Sequence, residues 1–471
     1  MASAARRHRL MIWGASWIIV AAAGLYATYL YDWLRGGAPE RPRTPSAAVA
    51  DAALKKARVD FRAHYLDCVE HLRLAEALYR AGRPVDAFYV MYWARSFFGD
   101  DAFMRAHSFV VLYQGRHVLG DALFDASAAG DKSEAVKAWV RLAAAQPGTF
   151  GARGALEELG RLAQGPGADA DAVLAREALE ELWRGRPQDP LVFSTLAMAA
   201  WQNGGADAAR ALVAEALSRR PGQAGALMVQ GALALNDRDV ERAIHSFTAA
   251  WEKNPDDLYS AAKLAQLYFR ARADAEAALP FYIALYRANP RYDDGEPAQQ
   301  RIREILDSRR EAMLSQVRPE GLGHFLSCND ASLRAEAAVR AAQAKDPRWI
   351  ETLADLLDDD TEIVRHNADY ALYQIGKGSA RDALRVRRDE WLGSEKPLVR
   401  ARALNLFADL DPKETFPLVL KALKDPEPAV RFLTRAMVLD HYYQGSQEAA
   451  KARAEYLSWE KDPQVLALPS R

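Results

Sequence analysis

The sequence predicts an all-α protein in which an N-terminal transmembrane helix precedes two consecutive α-solenoids built from short, repeated helices. The first observation is an uncharged stretch, Leu10–Leu30, whose 21 residues are enough to cross a bilayer core as a helix. The second is a proline that recurs at a nearly fixed interval between residues 187 and 290, as in arrays of helical hairpins. The third is a different repeat, marked by dipeptides that end in arginine, between residues 333 and 431.

Length and composition limit the possible functions. The chain has 471 residues, which predicts two to four domains. Its 62 basic and 63 acidic residues give a formal net charge of −1. This balance argues against a nucleic-acid-binding protein, because such proteins usually carry a strong basic excess. Cys68 and Cys328 lie 260 positions apart and do not form a disulfide framework, so they leave the redox compartment open.

The first 58 residues predict a membrane anchor and a spacer. We interpret residues 1–9 as a cytoplasmic N-terminus, residues 10–31 as a transmembrane helix and residues 32–58 as a linker. A cleaved signal peptide is the alternative, because Ala21-Ala22-Ala23 could be a cleavage site. The apolar run continues past these alanines to Leu30, which favours a retained signal-anchor.

The charges on either side of the apolar stretch predict its orientation. Arg6, Arg7 and Arg9 precede it, whereas Asp32 and Arg35 follow it. By the positive-inside rule, the N-terminus is cytoplasmic and the repeats are extracytoplasmic, in the periplasm of a bacterial cell envelope. The sequence therefore predicts a single-pass membrane protein.

The first repeat has three fixed phases. A small residue on each of two short helices would let their backbones approach closely, and a proline would end the second helix. The prolines are Pro187, Pro221, Pro255 and Pro290, the second small residues Ala175, Ala209, Ala243 and Ala278, and the first small residues Ala163, Ala197, Gly231 and Ala265. The first small residue precedes its proline by 24 positions in three units and by 25 in the last.

This phasing resembles that of the tetratricopeptide repeat family. The resemblance implies stacked helical hairpins whose first helices line a concave groove. The same phasing continues more weakly before residue 147, and a closing helix is predicted from Arg301 onward. We therefore assign residues 59–316 to this array.

The second repeat is marked by an arginine that follows a branched apolar residue. The pairs are Leu333-Arg334, Val364-Arg365, Val399-Arg400 and Val430-Arg431, with an aspartate six positions before the arginine in two of the four units. The pattern resembles HEAT and HEAT-like repeats over residues 320–445, and residues 446–471 complete the chain as a helix and tail. The resemblance implies a structural ladder formed by Asp359, Arg365, Asp425 and Arg431.

The search for catalytic chemistry gives weak candidates. His64, Cys68 and His71 share one helical face, but positions i and i+7 lie about 10 Å apart along the helix axis, so one metal ion cannot easily reach both ends. The pair His324 and Cys328 is too small a ligand set, and Asp358-Asp359-Asp360 predicts a solvated loop. We therefore expect no enzyme activity, no metal, no cofactor and no small-molecule substrate.

The first helices of the first array give a candidate partner-binding groove. Counting outward from the small residues gives an apolar and aromatic set: Met198, Trp201, Met228, Leu235, Tyr259, Gln266 and Phe269. Family members that clamp an acidic peptide C-terminus use lysine, asparagine and arginine at such places, and this set has none, so that ligand is not expected. The alternative is that these side chains are buried against neighbouring helices.

The predicted function is a membrane-anchored scaffold or assembly factor of the cell envelope. It would bind other proteins, such as membrane or envelope complex subunits, through its repeat surfaces, and nucleic acid is not an expected partner. One alternative is a structural subunit of a large membrane complex. Another is a lyase or tetrapyrrole-handling protein, because some HEAT-like repeat proteins are bilin lyases.

Overall fold

The structure is a computed structural model that describes residues 47–107, 110, 132–145, 150–165, 169–186, 189–255, 257–293, 295–315, 317–378, 380–462 and 465. Regular structure in these ranges is helical, and the one β-type pairing among them is an isolated bridge between Asp293 and Pro297. The all-α prediction is therefore confirmed.

The membrane prediction requires a correction. None of the described helices is both long enough and apolar enough to span a bilayer. The longest helical run, Pro190–Arg219, is broken at Gly205, whose φ of 76° is not helical. The predicted transmembrane helix at residues 10–31 lies outside the described residues. On this finding, the assignment as a single-pass membrane protein with periplasmic repeats is not supported, and anchoring has no part in the function proposed below.

The chain divides into two compact units. Among the described residues, unit 1 contains those between 132 and 302, and unit 2 contains those between 47 and 110 together with those between 303 and 465. The sequence predicts one array over residues 59–316, whereas in the structure the helices before residue 110 group with the C-terminal repeats. The cause is a set of ion pairs and buried contacts that join those helices to the C-terminal repeats.

Unit 1 is a series of antiparallel helical hairpins. Aspartate side chains cap several helices by accepting hydrogen bonds from backbone N–H groups, as Asp239 does from Arg242 at 3.0 Å and Asp274 from Ala277 at 3.0 Å. Its helices are Lys132–Ala145, Phe150–Ala163, Ala170–Gly185, Pro190–Arg219, Ala224–Asn236, Val240–Lys253, Leu258–Gln266, Ala275–Ala288 and the first residues of Ala298–Leu314.

The small residues of the first repeat lie at the centre of these hairpins. Ala197, Ala209, Ala243, Ala265 and Ala278 are all fully buried. In the middle hairpin, a Cβ atom added to Gly231 would lie 2.8 Å from the Phe247 ring. Two helices can pack this closely only where one of them lacks a side chain.

The extra residue in the last unit has a structural location. Helix Leu258–Gln266 continues into a π-helical turn, Leu267–Ala271, which takes up one more residue than an α-helical turn. The spacing of 25 rather than 24 before Pro290 is therefore absorbed within the first helix of this unit, and Phe269 lies in the π-helical turn.

Unit 2 begins with four helices, and the first and third of them contact its C-terminal repeats. Arg58 pairs with Asp360 at 2.6 Å, and Arg62 pairs with Asp358 at 2.9 Å. The buried Asp86 carboxylate accepts from the Ala331 backbone N–H at 2.6 Å. The four helices are Ala47–Ala63, Cys68–Arg80, Pro84–Phe98 and Asp100–His107.

The C-terminal part of unit 2 repeats a short helix followed by a longer, alanine-rich helix. The second helices supply most of the core, because their alanines allow close packing. The helices are Leu322–Leu326, Ala331–Ala344, Ile350–Asp355, Glu362–Gly376, Arg381–Leu392, Pro397–Leu410, Pro412–Ala422, Pro428–Leu433, Asp440–Tyr442 and Gln447–Trp459, with a π-helical turn at Thr434–Leu439.

Candidate partner-binding surface and arginine ladder

The seven predicted groove residues lie on the first helices of three consecutive hairpins in unit 1. Met228 is buried, whereas the other six side chains are half-buried and so remain partly accessible. We call these seven residues the first-helix surface: Met198, Trp201, Met228, Leu235, Tyr259, Gln266 and Phe269.

The first-helix surface is almost free of charge. Helix Ala224–Asn236 contains no charged residue, and helix Leu258–Gln266 contains only Lys263. The Lys263 ammonium lies 5.6 Å from the centroid of the Tyr259 ring, and burial lowers the pKa of Lys263. Sequence reasoning missed Lys263, although it is the one charge on these two helices.

Phe269 has two defined neighbours. The Arg301 guanidinium carbon lies 4.6 Å from the centroid of its ring, and Tyr282 meets it edge-on at 5.9 Å. Arg301 also pairs with Glu296 at 2.8 Å. The ring is therefore held in place, and part of it remains exposed. A rigid aromatic side chain loses little entropy when it binds, which suits a binding anchor.

The repeated arginines of unit 2 share one geometry. In each repeat, Nη1 donates to the backbone carbonyl six residues earlier: Arg334 to Cys328 at 2.8 Å, Arg400 to Ser394 at 2.7 Å, Arg431 to Asp425 at 3.0 Å, and Arg365 to Asp359. The arginine thereby fixes the turn that precedes its own helix.

The same arginines reach forward to the next repeat. Arg334 donates to both carboxylate oxygens of Asp359 at 2.9 and 3.0 Å, and Arg400 does so to Asp425 at 2.9 and 2.8 Å. Arg431 makes the equivalent pair with Glu460 at 2.7 and 2.9 Å. These three pairs join consecutive repeats.

Arg365 departs from this pattern. It pairs with Glu362 at 2.9 Å and lies against Tyr65 of the first helices. The aspartates thus pair with the arginine of the preceding repeat. Burial opposes ionisation of Asp359, but the Arg334 guanidinium outweighs it and holds the pKa of Asp359 below its ordinary value.

The candidate metal ligands are not brought together. The described residues contain no group of three side chains that could hold a metal ion. His71 is packed among aromatic rings, with Phe61 at 4.8 Å and Trp93 at 5.2 Å, and burial lowers its pKa to about 3. Burial raises the pKa of Cys68 to about 12, so neither group is suited to nucleophilic or acid–base chemistry at neutral pH.

Two further sequence candidates have structural roles. The Cys328 thiol donates to the Asp330 carbonyl at 3.6 Å, in the turn before helix Ala331–Ala344. Asp358 and Asp360 are 7% and 6% exposed, so the expected solvated loop is in fact buried against the first helices of unit 2. Their arginine partners lie about 300 positions away, so no local sequence signal indicates that Asp358 and Asp360 form buried ion pairs.

Comparisons with known proteins add little. No family model matches the chain, and no curated protein matches it. Among solved structures, "Structure of Naa15/Naa10 bound to HypK-THB" matches at 17% identity over 88% of this chain, and this chain spans 62% of that one. "Human IFIT1 dimer with m7Gppp-AAAA" matches at 12% identity over 85% of this chain and 100% of that one. Both TM-scores are 0.27, so neither likeness carries an argument about family or function.

Proposed function

We propose that this protein is a helical-repeat scaffold, of tetratricopeptide-like and HEAT-like units, that binds a partner protein through the first-helix surface of unit 1. The observation that carries the proposal is the half-buried state of apolar side chains on three consecutive first helices. Large apolar side chains that stay partly accessible on adjacent repeats are typical of binding surfaces.

The chemistry of this surface indicates the kind of partner. With Lys263 as the one charge on helices 224–236 and 258–266, apolar contacts rather than ion pairs would supply most of the binding free energy. An amphipathic helix or an extended peptide with a few large apolar side chains fits such a surface. Trp201 and Phe269 would be the aromatic anchors, and Met198 would adapt to the partner because its side chain is flexible.

Site-directed photo-crosslinking tests this proposal directly. A benzophenone amino acid at Leu235 should crosslink to a defined partner in cells, whereas the same amino acid at the exposed Glu252 on a second helix should not. Trp201→Ala and Phe269→Ala should each weaken binding of that partner by about 2 kcal/mol or more. Equal crosslinking from Leu235 and Glu252 would contradict the proposal.

Stability measurements separate binding from packing. If Trp201 and Phe269 belong only to the inter-helix core, each alanine variant should lose about 3–5 kcal/mol of unfolding free energy. Trp251→Ala is the matched control, because Trp251 lies on a second helix and meets Phe281 edge-on at 5.1 Å. This variant should be less stable than the parent and should still bind the partner at temperatures where it is folded.

A further inference from the structure

The first helices that carry the first-helix surface have a positive charge and no negative one. Residues 190–204, 224–236 and 258–271 include no aspartate or glutamate, and their cations are Lys263 and Arg270. Lys263 follows Tyr259 by four positions and precedes Gln266 by three, so it shares their helical face. The Arg270 guanidinium lies elsewhere, beside the turn where a Cβ added to Gly295 would be 3.5 Å from its Nη2 atom. Lys263 is therefore the cation of the first-helix surface.

The Lys263 ammonium has no anionic partner within the described part of the chain. Its defined neighbour is the Tyr259 ring, whose centroid lies 5.6 Å from Nζ. The side chain is half-buried, and burial lowers its pKa without a nearby carboxylate to oppose the shift. By contrast, the Arg301 guanidinium over Phe269 pairs with Glu296 at 2.8 Å. Lys263 is thus a partly desolvated charge for which the described residues supply no counter-ion.

A half-buried ammonium in this state favours a negative charge from outside. Burial removes part of its hydration, and a lost water contact is restored only by another polar or charged group. The Tyr259 ring offsets part of the loss, because an aromatic face attracts a cation more weakly than a carboxylate does. A carboxylate brought by a partner would accept a charge-assisted hydrogen bond from Nζ, in a site that water screens poorly.

The surroundings of Lys263 indicate where that carboxylate lies in the partner. Phe269 follows on the same chain segment, and Met228 and Leu235 belong to the first helix of the preceding hairpin. A partner segment that covers both sets of apolar side chains continues past Lys263 in both directions. Its carboxylate therefore belongs to an internal aspartate or glutamate and not to a chain end. One unpaired cation also calls for one acid, since a second would be desolvated without a partner.

We propose that the partner segment carries one internal acidic side chain, an aspartate or a glutamate, which pairs with Lys263 between its apolar anchors. This inference rests on the function proposed above, because it uses the same surface. The apolar contacts supply most of the affinity, and the ion pair supplies specificity. A segment with a neutral or basic residue at that place leaves Lys263 covered and unpaired, so it binds less tightly.

Peptide display on the full-length protein tests the pairing. The probe is a library of random peptides of about 16 residues, enough for roughly four helical turns, selected against the parent, Lys263→Met and Lys263→Glu. Peptides that are lost by Trp201→Ala and Phe269→Ala but retained by Trp251→Ala report on the first-helix surface. Among these, the parent should enrich one acidic residue between large apolar ones. Lys263→Met should enrich the apolar residues alone, and Lys263→Glu should enrich a basic residue at the acidic position.

Fluorescence anisotropy of one selected peptide gives the magnitude. Replacing its acidic residue by the corresponding amide should weaken binding to the parent about tenfold, and should change binding to Lys263→Met less than about twofold. Lys253→Met is the matched control, because it removes an exposed charge at the end of the second helix Val240–Lys253. It should change affinity for the acidic peptide less than about twofold.

The outcomes separate this inference from the proposed function. Peptides that require Trp201 and Phe269 but show no preferred acidic residue would overturn the pairing with Lys263 and leave the proposed function standing. An equal preference for the acid in the parent and in Lys263→Met would overturn the pairing as well. A selection that yields no peptide dependent on Trp201 and Phe269 would overturn both. The amide peptide on the parent protein tests the same ion pair without any change to the fold.

Discussion

Gly231 offers the sharpest test of the repeat packing in unit 1. An alanine at this position would place its Cβ atom 2.8 Å from Cδ1 and Cε1 of Phe247 and 2.9 Å from Cγ. Carbon atoms in contact normally lie about 3.5–4.0 Å apart, so the ring would have to move by roughly 1 Å. Phe247 is fully buried and has little room to do so.

Two opposing effects set the magnitude for Gly231→Ala. Replacing glycine by alanine inside a helix is intrinsically favourable by about 0.5–1 kcal/mol, because glycine loses more backbone entropy on folding. Overpacking a buried contact costs about 1–3 kcal/mol. The overpacking cost is the larger of the two, so we expect a net loss of about 1–2 kcal/mol, and a larger loss for Gly231→Leu.

Urea unfolding followed by far-UV circular dichroism is the measurement. Gly185→Ala is the matched control, because a Cβ at Gly185, the last residue of helix Ala170–Gly185, would have no neighbour within 4 Å. This control should be neutral or slightly stabilising. In a double-mutant cycle, Phe247→Leu should recover part of the stability lost in Gly231→Ala, with a coupling energy of about 0.5–3 kcal/mol. A Gly231→Ala protein as stable as the parent would refute the assigned packing.

Two further predictions concern unit 2. Asp425→Asn should lower the unfolding free energy by about 1.5–3 kcal/mol, because it removes the negative charge that Arg400 contacts at 2.8 and 2.9 Å. The control Glu351→Gln removes the charge of an exposed ion pair and should cost less than about 1 kcal/mol. Equal urea midpoints for the two variants would contradict a structural ladder. For Asp369, burial raises the pKa to about 7 against the opposing effect of Arg402, so the folded protein keeps a proton that the unfolded chain loses above about pH 4. Its contribution to stability therefore falls as the pH rises from about 4 to about 7. Asp369→Asn should gain stability relative to the parent across that window, by up to about 4 kcal/mol, as measured by urea midpoints from pH 4 to pH 8. A difference in stability between variant and parent that does not change with pH would exclude a raised pKa.

Local periodicity explains why the hairpins of unit 1 could be predicted. In each unit the second small residue follows the first by 12 or 13 positions, so one unit contains the whole pattern. The first-helix surface could be counted from the same residues because the helical period fixes which side chains share a face. Met228 is the exception and is buried, since helix Ala224–Asn236 is apolar on all sides.

Local periodicity could not predict that the helices before residue 110 belong to unit 2. Arg58 and Arg62 are ordinary charges on an amphipathic helix, and Asp358 and Asp360 resemble a solvated turn when only their neighbours in sequence are considered. Their pairing spans 302 and 296 positions. A single sequence contains no signal for such a distant ion pair, because charged residues of both signs are common throughout the chain.

The π-helical turn at Leu267–Ala271 links a small irregularity in the sequence to the candidate binding surface. The spacing anomaly indicates one additional residue in the last unit, but spacing alone does not place it in the turn or in either helix. The structure places it in the first helix, beside Phe269. In a solenoid, an extra residue in a helix rotates the side chains that follow by about 100° relative to a regular repeat. The turn that follows has Ala273 at a φ of 54°, and the equivalent turn of the preceding unit has Arg238 at a φ of 62°. The small residues on either side of the insertion, Ala265 and Ala278, both remain fully buried in the core.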